Sequence, residues 1–259
     1  MKLSTEELFE TWNQALASLF ERGPGEEALG DLISAVVPFD VYMVFEYREG
    51  EARSVFHNIA DLRRKVVIED YLRGPFLLDP FYTHSITGKA NGLLDMRRLS
   101  PDQFQKSEFF RHHYYRTSIG DEIGLALPSA DEASIVISIT RRIGTPRFSA
   151  RDKALFEAMM PVITLLGKQL WQQAAPEADP PPSKRIEDAF NAFGQDVLSR
   201  REIEIVSLVL KGHSSISVGE VLGITPGTVK IHRKNIYAKL GISTQAELFN
   251  KFIRYFTGE

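Results

Sequence analysis

The chain predicts an α/β fold, an α-β-α sandwich on a mostly antiparallel sheet, followed by an all-α four-helix module of helix-turn-helix type. Three observations carry this. Amphipathic helical stretches alternate with short β-branched and aromatic runs through the first 173 residues. A proline-rich segment, Ala174 to Ser183, then interrupts the pattern. Beyond it, four short helical stretches are separated by glycines from Leu198 onward. With 259 residues there is room for two domains, divided as 1–173, a linker over 174–194, and 195–259.

The elements follow in order. Ser4 and Glu7 form a capping box, and Leu8, Trp12, Ala15, Leu16 and Leu19 share one face of a helix ending near Phe20. Arg22 to Gly25 breaks it, and a second helix spans about Glu26 to Val37. Val41 to Tyr47 and Ala52 to Asn58 read as a hairpin turning at Arg48 to Gly50. A helix over about Asp61 to Tyr71 precedes a loop-rich stretch ending near Asp95. Ser100-Pro101 opens another helix, to about Tyr115. Two more strands, Asp121 to Leu127 and Ala133 to Thr140, lead to a long closing helix capped by Ser149 and running to about Gln173. Pro176, Pro180, Pro181 and Pro182 favour an extended, semi-rigid spacer, with a short helix after it carrying Ile186, Phe190 and Phe193.

The C-terminal punctuation is sharper. Ser199 and Glu202 form a capping box, and Ile203, Val206, Val209 and Leu210 mark one face before Gly212 closes the helix. A second helix runs from about Ser215 to Leu222. Thr225-Pro226 opens the third, a hydroxyl cap followed by a proline whose missing N–H costs nothing there. It ends at Leu240 before Gly241, and a fourth carries Leu248, Phe252 and Tyr255. At about 100° per residue, Val229, Ile236 and Leu240 fall within about 40° of one another on the third helix. Gly227, Lys230, Ile231, Lys234 and Ala238 lie opposite. Between Gly223 and Gln245 there are four cations and no carboxylate, so this face is suited to a polyanion. Charge is split accordingly: residues 183–259 carry +3 and residues 1–182 carry −6.

This C-terminal stretch resembles the LuxR/FixJ-type DNA-binding domain. The matching residues are Leu198, Ser199, Arg201 and Glu202, then Gly212, then Thr228 to Ile242. The resemblance implies that Lys230, Ile231 and Lys234 face base edges, while Thr225, Thr228, Arg233 and Lys239 hold phosphates. The sequence departs from the family pattern at Ser215 to Gly219. Glycine within a helix costs about 0.5–1 kcal/mol against alanine but permits close approach.

The N-terminal order resembles GAF/PAS-like sensor domains and, in part, the autoinducer-binding domain of LuxR-type quorum-sensing regulators. Tyr71 with Asp79-Pro80, and Gly124 to Pro128, match that domain's motifs. The resemblance implies an Asp79 carboxylate that accepts a ligand amide N–H, and a Gly124 that leaves the ligand room. Candidate ligand residues are Tyr42, His57, Tyr71, Phe76, Asp79, Tyr82, Gly124 and Ser138. Tyr42 and Phe76 also read as plain core, Asp79 as the start of an Asx turn, and His57 as a structural or exposed histidine. Relatives place an indole N–H on the lactone carbonyl, but Trp12 and Trp171 fall outside the pocket region. The expected signal is therefore a small molecule other than a standard acyl-homoserine lactone. The alternatives are a ligand-free dimerisation module or an acyl-homoserine lactone binder.

Other functions are poorly served. The absence of cysteine excludes disulfides and thiolate metal sites. Adjacent His112 and His113 diverge by about 100° on a helix and cannot share a metal. His84 and Asp79 could pair, but no nucleophile elbow, phosphate loop or dinucleotide fingerprint accompanies them. No catalytic residue, cofactor or metal is expected. A receiver domain would open on an apolar strand, whereas this chain opens on an amphipathic helix. The expectation is a cytoplasmic, homodimeric regulator that reads an inverted repeat in double-stranded DNA, with RNA polymerase a further candidate partner and no membrane association.

Overall fold

The computed structural model describes residues 4–48, 50–59, 63–87, 91–107, 110–111, 114, 117–127, 133–171, 189–190 and 192–257. The proline-rich segment, Ile186 and the His112-His113 pair lie outside them.

The N-terminal unit is built on five antiparallel strands in the order β2-β1-β5-β4-β3. These are β1 (Val41–Arg48), β2 (Glu51–His57), β3 (Gly92–Asp95), β4 (Ile119–Leu127) and β5 (Ser134–Arg142). Side chains alternate across the pleat, and here both faces are covered. Tyr42, Val44, Ile123, Leu125, Ile137 and Ile139 point to one side. There they meet α1 (Thr5–Arg22), α2 (Glu26–Val36) and the long closing helix. Met43, Phe45, Tyr47, Ala126 and Val136 point to the other, under the segment from Val67 to Tyr82. Register aligns Met43 with Ser138, Ser138 with Gly124 and Gly124 with Leu94, so these four residues form a row across the second face.

Two stretches fold differently from the sequence expectation. The loop-rich stretch contains a tight helical turn over Pro75–Leu78, the strand β3, and a helix over Pro80–Ser85. Before it, a wide turn at Lys65–Glu69 winds into α3 (Asp70–Leu72), and Pro80–Ser85 is α4. Asp79 caps α4 and Pro80 takes its first position, the same device as Thr225-Pro226 on a much shorter helix. The second difference is at Ser100. It ends α5 (Met96–Leu99) instead of opening a helix, because its hydroxyl turns back to the Met96 carbonyl at 2.5 Å. A short turn at Phe104–Lys106 follows. Ser149 does cap the closing helix α6 (Ala150–Trp171), accepting the Asp152 N–H at 3.1 Å.

The C-terminal bundle contains α7 (Arg200–Leu210), α8 (Ser215–Leu222), α9 (Pro226–Leu240) and α10 (Gln245–Thr257). Its core is Ile205, Val206, Val209, Val218, Val229, Ile236, Leu248 and Phe252. Phe190 and Phe193, placed in the linker by the sequence reading, belong to this packing. Phe190 stacks on Phe252 at 4.7 Å and Phe193 meets it edge-on at 5.4 Å. Burying two phenyl rings makes that end of the linker part of the bundle. Among the described residues, no helix is long and apolar enough to cross a membrane.

Candidate nucleic-acid interface and candidate ligand site

The helix-turn-helix is assembled by local chemistry. Gly223, with φ of 65°, ends α8 in the left-handed region. Thr225 then accepts the Thr228 N–H at 3.1 Å, and the two hydroxyls lie 2.9 Å apart. Gly219 explains the departure at α8: a Cβ there would fall 2.6 Å from the Ile224 carbonyl oxygen. The small residue lets the turn fold back onto its own helix, offsetting its intrinsic cost.

On α9, Val229, Ile236 and Leu240 are buried, and Gly227, Lys230, Ile231, Lys234, Asn235 and Ala238 are exposed together. Ile231, 63% exposed, is an apolar side chain standing in water between two lysines. A contiguous cationic face with small residues can enter a major groove, and an apolar side chain there can meet a thymine methyl.

Two of the residues expected on phosphates, Lys239 and Arg233, have partners within the protein. The Lys239 ammonium lies 2.7 Å from the Glu202 carboxylate, joining α9 to the capping box of α7. Burial works against the charged form of Glu202, but Lys239 and the capping hydrogen bonds hold its carboxyl below the usual range. Arg233 donates to the Tyr237 hydroxyl at 3.0 Å and to Gln245 at 3.4 Å, with its guanidinium over the Tyr237 ring. Sequence spacing could place these cations on the helix but could not show which had partners on other helices.

The second candidate site is the inner face of the sheet. Tyr71 donates to Asp79 at 2.8 Å, and the Tyr47 and Tyr71 hydroxyls are 2.7 Å apart. The other Asp79 oxygen accepts the Phe81 N–H at 2.7 Å, so this carboxyl both caps α4 and anchors the tyrosine pair. Beside it, Glu122 accepts hydrogen bonds from Tyr114 and Ser138. Burial raises the pKa of both carboxyls, and the Asp79 charge raises that of Glu122 further. The Tyr82 hydroxyl accepts the Gly50 N–H at 2.9 Å, tying the hairpin turn to this layer. Phe76 packs edge-on against Tyr82 and Tyr71.

Tyr71, Phe76, Asp79, Tyr82, Gly124 and Ser138 are thus brought to one side of the sheet. Tyr42 is not. It faces the opposite layer between Phe39 and Phe56, because an even-numbered residue of β1 points away from Met43 and Phe45. Among the described residues its buried hydroxyl has no hydrogen-bond partner. His57 lies at the end of the edge strand opposite Met43, and its Nδ1 accepts the Ile59 N–H at 3.3 Å. Burial, then nearby Arg64, holds the His57 pKa low. The space above Gly124 is taken by the Phe81 ring, which a Cβ would approach to 3.1 Å.

Sequence reasoning missed Glu122, Tyr47 and Tyr114. In Asp121 to Leu127 the apolar Ile123, Leu125 and Leu127 define one face, which makes Glu122 read as solvent-facing. Only the layer above the sheet reveals that it is buried. Among the described residues, no group of three His, Cys, Asp or Glu side chains is placed to hold a metal ion.

A capped, cationic second helix after a tight turn, in a chain that also carries a five-stranded sheet with helices on both faces, defines a helix-turn-helix DNA-binding regulator with an N-terminal α/β part. Residues 196–252 match the family described as bacterial regulatory proteins, luxR family. The chain is 32% identical over 186 residues to the HTH-type transcriptional regulator assigned to the exeN 3′ region of Aeromonas salmonicida, covering 68% of this chain and 94% of that one. It is 24% identical over 199 residues to the monoamine regulon transcriptional regulator of Klebsiella aerogenes, covering 76% of this chain and 75% of that one. The fold is similar to the crystal structure of the VqsR LBD domain of Pseudomonas aeruginosa, with a TM-score of 0.54 at 22% identity over 61% of this chain and 94% of that domain. The chain belongs to the LuxR family of transcriptional regulators.

Proposed function

We propose that this LuxR-family regulator works as a cytoplasmic homodimer reading an inverted-repeat operator through Lys230, Ile231 and Lys234, with Thr225 and Thr228 on phosphates. Its N-terminal domain, up to about residue 173, answers a small molecule other than a standard acyl-homoserine lactone. The observation that carries the ligand reading is the chemistry of the inner face. It offers two buried carboxyls, Asp79 and Glu122, ringed by Tyr47, Tyr71 and Tyr114. Both tryptophans pack on the other side of the sheet, so no indole N–H reaches this face. Carboxyls and phenol rings favour a ligand that brings N–H donors or a positive charge, since an amine would offset the buried acids and lie against aromatic faces. The name of the Klebsiella aerogenes relative points to the same chemistry.

One observation favours a second reading, in which the domain only dimerises. The Asp79 and Glu122 oxygens already have protein donors, and Phe81 fills the space over Gly124. Thermal shift of the full chain against aromatic amines, alkyl amines and acylated amines, with an acyl-homoserine lactone alongside, separates the readings. A ligand at a hundred times its Kd stabilises by about 2.7 kcal/mol, well within detection. Saturable shifts with amines, lost in Asp79→Asn, support the first reading. No saturable shift from any compound leaves the dimerisation reading, and a shift from the lactone alone restores the autoinducer.

DNA reading is tested separately. Lys230→Ala should cost about 1–3 kcal/mol on duplexes selected by the wild-type chain and relax preference at one base position. Equal losses on selected and random duplexes would show that Lys230 touches only the backbone.

A further inference from the structure

A cavity of about 790 Å³ opens where the β1–β2 hairpin meets the last helix. That volume is within the range of small-molecule sites, about 300–1,000 Å³. Its apolar lining comes from Leu72 of α3, from Phe76, from Ala189 and Ala192, and from Tyr255 and Phe256 of α10. Phe76 is shared with the inner face, since its ring also meets Tyr71 and Tyr82. The charged lining comes from Glu46 and Arg48 of β1 and from Glu51 and Arg53 of β2.

The strand pairing sets Glu46 opposite Arg53 and Arg48 opposite Glu51. Residues two apart on a strand share a face, so the four charges form an alternating square. Three of them are tied together. Arg48 donates to one Glu46 oxygen at 2.9 Å, and Arg53 donates to the other through Nε at 3.1 Å and through Nη2. Burial works against the Glu46 charge, but the bonds from Arg53 and Arg48 hold its carboxyl below the usual range. The Arg53 side chain is 57% exposed, and its Nη1 has no acceptor among the described residues. Glu51 is exposed too, and among the described residues its carboxylate has no ion pair. One spare guanidinium edge and one spare carboxylate therefore stand roughly 7 Å apart along the edge strand, measured between Cα atoms, and both line the cavity.

We infer that this cavity is a second small-molecule site, built for a free amino acid with an apolar or aromatic side chain. Its α-carboxylate lies on the planar fork of Arg53, which suits two-point contact with a carboxylate. Its α-ammonium supplies the cation that Glu51 lacks, and its side chain lies against Leu72, Phe76 and Phe256. Charge selects this class. The three tied groups sum to +1 and Glu51 to −1, so a ligand of either sign leaves one charge uncompensated and a zwitterion leaves none. Exposed ion pairs contribute little by themselves, so burial of the ligand side chain supplies the affinity and the charges supply the selection. The site does not rest on the inner-face reading, because neither Asp79 nor Glu122 lines it.

The test is calorimetric titration of the full chain with L-phenylalanine, with glycine, and with two analogues that each lack one charge, 2-phenylethylamine and 3-phenylpropionate. The same titrations are run in Asp79→Asn, so that an amine held at the inner face is not mistaken for one held here. The expected result is saturable binding of L-phenylalanine in both chains, with glycine and each analogue weaker by about tenfold or more in Asp79→Asn. Glu51→Gln and Arg53→Gln should each weaken L-phenylalanine by about tenfold. Both side chains are exposed, and urea unfolding checks that each variant is folded. Absence of saturable L-phenylalanine binding would overturn the site, as would equal affinity in Glu51→Gln and Arg53→Gln. Binding of L-phenylalanine that disappears in Asp79→Asn would also overturn it, and would move the amino acid to the inner face. The inner-face reading is decided by 2-phenylethylamine in the wild-type chain, so the two can fail independently.

Discussion

In the helix-turn-helix, Ser199, Ser214 and Thr225 each accept a backbone N–H from the residue three places along. Across the inner face of the sheet, partners are far apart in the chain: Tyr71 and Asp79 are separated by 8 residues, Glu122 and Ser138 by 16, Tyr47 and Tyr71 by 24. The first kind of polar group sits near water and can exchange its partner for solvent. The second is sealed between the sheet and the turns above it, where a lost partner cannot be replaced. The DNA-reading half should therefore tolerate the removal of single polar groups far better than the α/β half.

The sharpest test of that contrast is pH. Burial raises the Glu122 pKa, and the nearby Asp79 charge raises it further. The folded state therefore holds the Glu122 proton more tightly than the unfolded chain. Stability from this group is fully present below the ordinary glutamate value of about 4.3 and is lost as pH rises toward the raised folded value. One proton corresponds to a slope of up to about 1.4 kcal/mol per pH unit. Urea unfolding of the full chain at mildly acidic and mildly alkaline pH should show the transition of the α/β part weakening, and Glu122→Gln should flatten that trend. A wild-type transition independent of pH would mean that the carboxyl is solvated.

Next in size is Tyr71→Phe. It removes the hydroxyl that links Tyr47 to Asp79 and leaves one oxygen of a buried carboxyl without its donor. A cost of about 1–3 kcal/mol is expected by denaturant unfolding. Ser199→Ala, its counterpart in the other half, should cost about 1 kcal/mol, the usual value for a lost cap. If the two losses were equal, the distinction between sealed and exchangeable polar groups would fail.

The same contrast sets what could be read from residues alone. Ser199 with Glu202, Thr225-Pro226, Gly223 and Gly241 signal helix ends within a few positions, and α7 to α9 form where those signals lie. The five-stranded sheet was legible in part, since four of its strands are marked by β-branched and aromatic runs. β3 is only four residues, Gly92–Asp95, and was hidden in a loop-like composition. Ser100-Pro101 shows how a local signal misleads: the same hydroxyl that can start a helix instead finished the one before it. Glu122 and Tyr42 went astray for another reason. Which side of a strand is inner, and what covers the outer side, depends on residues dozens of positions away. On α9 the exposed cations followed from helical periodicity, as does the Arg233–Tyr237 pair one turn apart, but Gln245 of α10 beside Arg233 and Glu202 of α7 beside Lys239 come from other helices.

Lys239 gives the smallest effect and the finest discrimination. A lysine bound to a phosphate releases about one counterion, so Lys239→Ala would lower the slope of log affinity against log salt by about one unit. The structure instead places its ammonium 2.7 Å from Glu202, which is 4% exposed and completes the α7 capping box. Removing Lys239 should cost up to about 1 kcal/mol of bundle stability, as for a partly exposed ion pair, and leave the salt slope unchanged. Lys234→Ala, on the open face of the same helix, should change the slope and spare the stability. Titrating both variants on a mixed-sequence duplex across salt, with unfolding measured in parallel, assigns each lysine to the duplex or to the protein. A lower slope for Lys239→Ala would mean that DNA draws this ammonium away from Glu202 on binding, leaving the carboxylate to its capping hydrogen bonds with Ser199.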